Sequence, residues 1–325
     1  MVERFTGLTL KALACALPAQ TRDLTEFEAR FGKEKVERFR EVVGIHRYHE
    51  APPETKTSDL AVAAAENLFA SGTIQREEID ALLFITQTPD AIAPATSALL
   101  QARLHLPERL LTLDINQGCA GFLTGLLTAA HLLASPTIRN VLVLGGDTLT
   151  RCVDQADPTT AMLFGDAGFA AIFGRDSQAD TWHIANGVSS SEAITIPHGK
   201  PFAMSGTEVF NFTITKVPEQ IQAVLQAANL SAENLDWLLL HQANAFIVRQ
   251  VARMCRFPEE KVPCRIANRG NTSVASLPLL LCDLKAEGIG GKQRVVLSAF
   301  GVGLTWVTVA LTFDFDVCQP PLLLP

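Results

Sequence analysis

One cysteine in this chain stands where a sulfur could act as a nucleophile. Cys119 lies within Gln117-Gly118-Cys119-Ala120-Gly121. The run Leu111 to Ile115 before it reads as a strand, and the small and apolar residues Ala120 to Ala134 after it read as a helix. Cys119 therefore falls at a strand-to-helix elbow, at a helix N-terminus. Partial positive charge there favours thiolate over thiol. Free backbone N–H groups at the same place can stabilise an oxyanion. Gly118 and Gly121 let a substrate or a second chain segment approach closely. A thiol so placed suits acyl transfer through a thioester. Cys15, Cys152, Cys255, Cys264, Cys282 and Cys318 sit at no such elbow and are expected to be buried structural thiols. No cysteine pair has metal-ligand spacing such as C-x-x-C, and no metal is expected.

The elements that would position a partner for Cys119 emerge from an internal repeat. Ile79 to Ile85 and Leu235 to His241 are both buried-strand patterns with aspartate in second place, 156 positions apart. Asn116-Gln117-Gly118-Cys119 matches Asn268-Arg269-Gly270-Asn271 at an offset of 152, and Val141 to Leu144 matches Val295 to Ser298 at 154. Helix-like stretches, Leu60 to Ala70 and Val217 to Ala228, precede the first pair. The unit is helix, strand, glycine turn, helix, strand, which predicts an α/β fold of two pseudo-symmetric halves with mainly parallel sheets. The halves divide as 1–175, with the nucleophile, and 176–325, as one catalytic unit. Asp176 to Thr207, richer in Ser and Gly, is expected to be irregular. The repeat places Asn271 opposite Cys119 and His241 opposite Ile85, so three reactive side chains end equivalent elements near the pseudo-axis. A neutral His and an Asn amide both donate hydrogen bonds, which suits a developing oxyanion. His46 and His49 are three apart with no third ligand nearby and read as surface residues; His105, His131, His183 and His198 show no pattern.

Bulk properties exclude several classes. The chain has 325 residues, 48% of them hydrophobic and 19% charged, as expected of a globular protein with a large core. A net charge of -7 argues against nucleic acid as a partner. Seven scattered cysteines suggest reduced, cytoplasmic thiols rather than a disulfide framework. Lys11 cuts the early apolar run too short for an export signal, and Leu8 to Leu17 reads as a first strand. The longest apolar stretch, Phe122 to Ala134, is interrupted by His131, so no membrane span is expected. No Gly-x-Gly-x-x-Gly turn points to a dinucleotide.

Five segments then occur in register: Gly118 to Phe122, Phe164-Gly165-Asp166-Ala167-Gly168, His241-Gln242-Ala243-Asn244, Gly270 to Ser276, and Ala299-Phe300-Gly301-Val302-Gly303-Leu304-Thr305-Trp306. Together they closely resemble the β-ketoacyl-acyl-carrier-protein synthase III group of the thiolase superfamily, over essentially the whole chain. The resemblance implies a thiolase fold in five αβαβα layers, a homodimer, and a Cys119-His241-Asn271 triad. It implies acylation of Cys119 by a thioester, then decarboxylation of malonyl-acyl-carrier protein and carbon–carbon bond formation, with no cofactor. It further implies an oxyanion site from the backbone of Cys119 with Val302 and Gly303, and an acyl pocket involving Leu304 and the partner subunit's counterpart of Ala93.

Departures from the family pattern bear on the donor. A tryptophan and two arginines that hold CoA in housekeeping members fall on Arg38, Val42 and Pro158 here, with Arg38, Arg40 or Arg47 as possible replacements. Acyl-carrier protein therefore stands beside acyl-CoA as the donor. Ala93 replaces a bulky residue, which suggests a primer longer than acetyl, branched or aromatic. Val302 replaces a glycine. Arg249, Arg253 and Arg256, spaced i, i+4, i+7, form a candidate docking patch for an acidic carrier protein. The alternatives are an acyltransferase to oxygen or nitrogen without decarboxylation, which has less use for Asn271, and a non-catalytic partner subunit, which would have lost the triad.

Overall fold

The computed structural model describes residues 1–325. Two sheets form its frame. In the first, β15 (Leu322–Leu324), β2 (Leu8–Pro18), β8 (Ala167–Arg175), β7 (Asn140–Asp147), β5 (Ala81–Ile85) and β6 (Leu111–Ile115) lie side by side in that order. The second runs β1 (Val2–Phe5), β9 (Trp182–Val188), β14 (Thr305–Asp314), β13 (Lys292–Gly301) and β12 (Trp237–Leu240). Two small hairpins, β3 (Thr21–Asp23) with β4 (Arg47–His49) and β10 (Ile194–Thr195) with β11 (Ala203–Met204), lie outside them.

Alternation along the strands sorts side chains into layers. On β2, Leu13, Cys15 and Leu17 face one core, while Ala12, Ala14 and Ala16 face another. The first core is central: it combines residues of both sheets with α5 (Gly121–Leu133) and α8 (Ser276–Ala286) between them. The outer face of the first sheet carries α3 (Thr57–Ala70) and α4 (Thr96–Arg103). The outer face of the second carries α6 (Gly206–Ala228) and α7 (Ala245–Met254). This is the five-layer αβαβα arrangement. Two short helices, α1 (Glu28–Phe31) and α2 (Lys33–Val43), pack over the mouth region with a fourth cluster that includes Leu149, Phe164 and Phe202. Each fully buried leucine, valine or phenylalanine contributes about 1.5–3 kcal/mol. That suits α5, apolar almost all round because sheets cover it on both faces.

The repeat is visible in the pairing. Ala81 pairs in parallel with Val141, and Trp237 pairs in parallel with Val295. Three differences from the sequence expectation appear. The sheets are mixed and not mainly parallel: β8 runs antiparallel to both β2 and β7, and β14 to both β9 and β13, because these strands return without a helical crossover. Asp176 to Thr207 is not irregular, because Trp182–Val188 is a strand held between β1 and β14. Its turn-rich flanks masked it. The second half also lacks a counterpart of β6; only a short 3-10 turn, Ile266–Asn268, precedes the Asn271 elbow. β6 is thus an edge strand with Leu111 and Leu113 exposed. The termini cross over: β1 joins the second sheet and β15 the first, so each half lends a strand to the other's sheet. No helix is long and apolar enough to cross a membrane.

Candidate active site

The elbow bearing Cys119 is built from short backbone bonds. Gln117 N–H donates to Ile115 O at 3.0 Å and Gly121 N–H donates to Gly118 O at 2.6 Å, turning the chain from β6 into α5. The equivalent elbow of the second half carries Asn271. Its N–H donates to Leu163 O at 2.9 Å, and its carbonyl accepts from Gly165 N–H at 3.1 Å. A Cβ on Gly165 would stand 2.1 Å from Arg269 O, so only glycine admits this approach. The Phe164-Gly165-Asp166 and Gly270-Asn271 segments are therefore two sides of one contact. His241 follows β12, its N–H donating to Ser298 O of β13 at 2.8 Å.

Cys119, His241 and Asn271 line one cavity of about 100 Å³, together with Ser273 and the Phe300-Gly301-Val302 loop. The wall is mostly apolar, with Leu149, Phe164, Phe202 and Ile247 contributing. Ser276 Oγ lies 2.5 Å from His241 Nδ1, which leaves Nε2 for the cavity. Phe300 packs edge-on against the imidazole at 5.6 Å. Asn271 Oδ1 accepts from Ser273 N–H at 2.9 Å, which directs the amide NH2 elsewhere. Ser273 Oγ lies 3.9 Å from the Cys119 sulfur.

Electrostatics here correct one expectation. Burial pushes the Cys119 thiol up to about 12, with buried Asp147 adding to the rise. Ser273 and the N–H groups of Cys119 and Val302 oppose that rise without cancelling it. The helix N-terminus does not produce a resting thiolate, because removal from water costs the anion more than the dipole returns. Burial likewise pushes His241 down to about 3, so the imidazole is neutral. The resting pair is thiol and neutral imidazole, not an ion pair. For an acid with a raised pKa the neutral form dominates at every pH below it. Iodoacetamide alkylation of Cys119 should therefore rise about tenfold per pH unit from pH 6 to 9 without levelling, following the thiolate fraction. A plateau near neutrality, measured by mass spectrometry, would overturn this.

Gly301 explains why the loop can lie so close. A Cβ there would stand 2.6 Å from Cys119 Cβ and 2.9 Å from its sulfur. Gln117 Nε2 donates to Val302 O at 3.2 Å and ties the loop to the elbow. Gly301→Val should lower the acylation rate of Cys119 at least about a hundredfold, through displacement of the sulfur by roughly an ångström. Stopped-flow acylation at unchanged melting temperature would measure it.

Several sequence assignments fall elsewhere. Val302 lines the cavity, whereas Gly303 and Leu304 do not; Leu304 packs with the mouth cluster. Ala93 lies on an exposed loop of its own chain, outside the cavity. Arg249 and Arg253 are exposed on α7, but Arg256 lies beyond its C-terminus with φ +58°, so the three do not share one helical face. His49 is buried, not superficial: its Nδ1–H donates to Pro18 O at 2.6 Å, and Nε2 accepts from Arg269 at 3.1 Å. Cys152 and Cys264 are only half-buried. Sequence reasoning missed the supporting roles of Ser276, Ser273, Gln117 and Phe300. A hydroxyl opening the helix after Asn271 was the one available signal.

A cysteine, a neutral histidine and a carboxamide that converge from two α/β halves mark a thiolase-fold condensing enzyme. Comparison with known proteins agrees. A family profile described as 3-oxoacyl-[acyl-carrier-protein (ACP)] synthase III matches residues 113–192, and the profile of its C-terminal part matches residues 225–313. The chain is 34% identical over 287 residues to a β-ketoacyl-[acyl-carrier-protein] synthase III of Streptococcus sanguinis, covering 83% of this chain and 88% of that one. It is 36% identical over 289 residues to one of Streptococcus pneumoniae, with the same coverage. A 3-oxoacyl-(acyl-carrier protein) synthase structure from Burkholderia xenovorans superposes with a TM-score of 0.96 at 31% identity, over 100% of this chain and 99% of that one. The chain belongs to the β-ketoacyl-[acyl-carrier-protein] synthase III family, and is a transferase of the condensing type.

Proposed function

We propose that this enzyme is an acyltransferase that loads an acyl group onto Cys119 and condenses it with a malonyl group on acyl carrier protein. The observation that carries the reading is the shared cavity of Cys119, His241 and Asn271. In the first step the sulfur attacks a thioester carbonyl; because free thiolate is scarce, the thiol proton passes to the donor's sulfur as the new C–S bond forms and the donor's C–S bond breaks, and CoA or carrier leaves as the thiol. The N–H groups of Cys119 and Val302 stabilise the oxyanion. In the second step the malonyl carboxylate departs as carbon dioxide. His241 donates from Nε2 and Asn271 from its amide to the enolate oxygen. Nδ1 accepting from the Ser276 hydroxyl selects that tautomer. The enolate carbon attacks the acyl-cysteine, the C–S bond breaks to release the Cys119 thiolate, which takes a proton from solvent to restore the thiol, and the β-ketoacyl product leaves on the carrier. No cofactor enters this sequence.

The acyl donor is a carrier-protein or CoA thioester, and the pathway a specialised lipid or polyketide route in the cytoplasm. Exposed Arg38 and Val42 stand where the family's CoA-binding tryptophan and one arginine fall, and half-buried Pro158 stands where the other arginine would. Arg38, Arg40 and Arg47 are close to Val42 in the chain and are candidate replacements. The working unit is a homodimer, supported by Leu111 and Leu113 exposed on edge strand β6 and by Ile92, 85% exposed, on the loop that carries Ala93. That loop would supply the floor of the partner's acyl pocket. The test is incubation with an acyl thioester and malonyl-carrier protein. Stoichiometric carbon dioxide and β-ketoacyl-carrier product support condensation; transfer without carbon dioxide would replace it with simple acyl transfer.

Arg249 and Arg253 make the carrier-docking surface, with Arg256 beside it. Reversing Arg249 and Arg253 to Glu should raise KM for malonyl-carrier protein about tenfold while kcat changes little, since exposed charges act chiefly on encounter. An unchanged KM would sink the docking assignment.

A further inference from the structure

We propose that acylation of Cys119 runs through a two-residue proton path: the Ser273 hydroxyl takes the thiol proton and passes its own to Oδ2 of Asp147. This rests on the acyl-Cys119 reading and adds to it the route by which the thiol proton leaves. Burial holds the thiol at about 12, so the attacking sulfur needs an acceptor for its proton. His241 is a poor one, because burial has pushed the imidazole down to about 3. Asn271 Oδ1 is already occupied by Ser273 N–H.

Ser273 lies between the sulfur and the carboxylate. It lines the cavity, and its Oγ is 3.9 Å from the Cys119 sulfur, a reach that sulfur's size permits. Its φ is +49°, a backbone conformation that favours glycine, so the fold holds a hydroxyl here against local preference. On the other side β7 packs against the Ser273–Ala275 turn and ends at Asp147. Asp147 is fully buried. The Ser273 hydroxyl and the Val274 N–H face its carboxylate and counter part of the cost of burial. The carboxylate is also near enough to Cys119 for its charge to raise the thiol.

The two carboxylate oxygens are unequal. Oδ1 accepts from Gln87 N–H at 2.7 Å and from the Thr86 hydroxyl at 3.0 Å, donors that favour the ionised form. Oδ2 is buried and has no hydrogen-bond partner at rest, which leaves it open to a proton. Burial raises the Asp147 carboxyl above its usual range, and that makes its carboxylate a stronger base than an exposed one. As the sulfur bonds to the thioester carbon, the S–H proton moves to Ser273 Oγ and the Ser273 proton to Oδ2. As the donor's C–S bond breaks, the same path runs backwards. It delivers the proton to the leaving sulfur, which is bonded to the same carbon as the Cys119 sulfur. Asp147 ends as a carboxylate, and the net transfer is from thiol to departing thiolate.

The test sets acylation of Cys119 against its alkylation near neutral pH, both followed by intact mass. Acylation uses the acetyl and octanoyl thioesters of N-acetylcysteamine; alkylation uses iodoacetamide, which draws on thiolate already formed and needs no path. Asp147→Asn keeps an acceptor at Oδ1 and removes the negative charge. It should slow acylation about a hundredfold, as loss of a positioned proton acceptor does, yet speed alkylation, since the charge that raised the thiol is gone. Ser273→Ala and Ser273→Gly should slow acylation as much and slow alkylation no more than about threefold. Glycine adopts φ +49° without strain, so its loss reports the hydroxyl alone. A merely structural role would lower both rates together, and a purely electrostatic one would raise both in Asp147→Asn. Either pattern, or unchanged acylation in both Ser273 variants, would overturn the path. Alkylation without any acyl adduct in wild type would instead remove the acyl-Cys119 reading, and this inference with it.

Discussion

Replacing Cys119 by alanine should abolish covalent acylation, a loss of at least about a thousandfold in condensation. No other cysteine lines the cavity. Cys152 and Cys264, though half-buried, lie outside it, and the remaining four are buried in cores. An acyl mass that appears on wild type from a panel of CoA and carrier thioesters should be absent from Cys119→Ala and from Cys119→Ser. An adduct that persists in the alanine variant would place the nucleophile elsewhere. The same variant keeps His241 and Asn271, so it should still release carbon dioxide from malonyl-carrier protein without making the β-ketoacyl product. That outcome would separate the two half-reactions on one protein.

His241→Ala should lower carbon dioxide release by about 10²–10³, the usual effect of removing one donor from an oxyanion site, or about 2.7–4 kcal/mol. The donor is aimed before substrate arrives. Ser276 holds Nδ1, Phe300 holds the ring edge-on, and burial keeps the imidazole neutral at any pH above about 3. A neutral donor stabilises the enolate without first binding the malonyl carboxylate as a cation would, and so favours loss of carbon dioxide. Ser276→Ala should fall in the same direction by a smaller factor, through the tautomer and not through contact. Carbon dioxide release is the readout, with melting temperature as control for the cavity left behind. A wild-type rate in His241→Ala would mean that Asn271 and backbone groups suffice.

Much of the site was legible because local chemistry and the repeat agreed. Gly118-Cys119 announces an elbow by residue type alone, and the offset to Gly270-Asn271 names its counterpart. The strand ending at His241 follows from four apolar residues and an aspartate in the same place as Asp80. Other features were illegible for physical reasons. Trp182–Val188 has a weak strand pattern, yet it forms because β1 and β14 offer hydrogen-bond partners on both edges. His49 looked superficial because its neighbours in sequence are charged, while its actual partners, Pro18 and Arg269, are distant in the chain.

The ionisation of Cys119 shows the boundary between the two. A helix N-terminus can be read from sequence, and it argues for a thiolate. Depth below the surface cannot be read, and it dominates. The sequence alone determined the halves' repeated pattern and singled out Cys119, His241 and Asn271, which share one cavity, because periodicity, glycine turns and side-chain chemistry are local properties. Only the tertiary structure decided that Gly301 touches the sulfur, that Ser276 sets the imidazole, that Leu304 and Ala93 lie off the cavity, and that the Gln87 carbonyl is buried without a partner. Those facts depend on desolvation and on contacts between segments far apart in the chain, which no local pattern encodes.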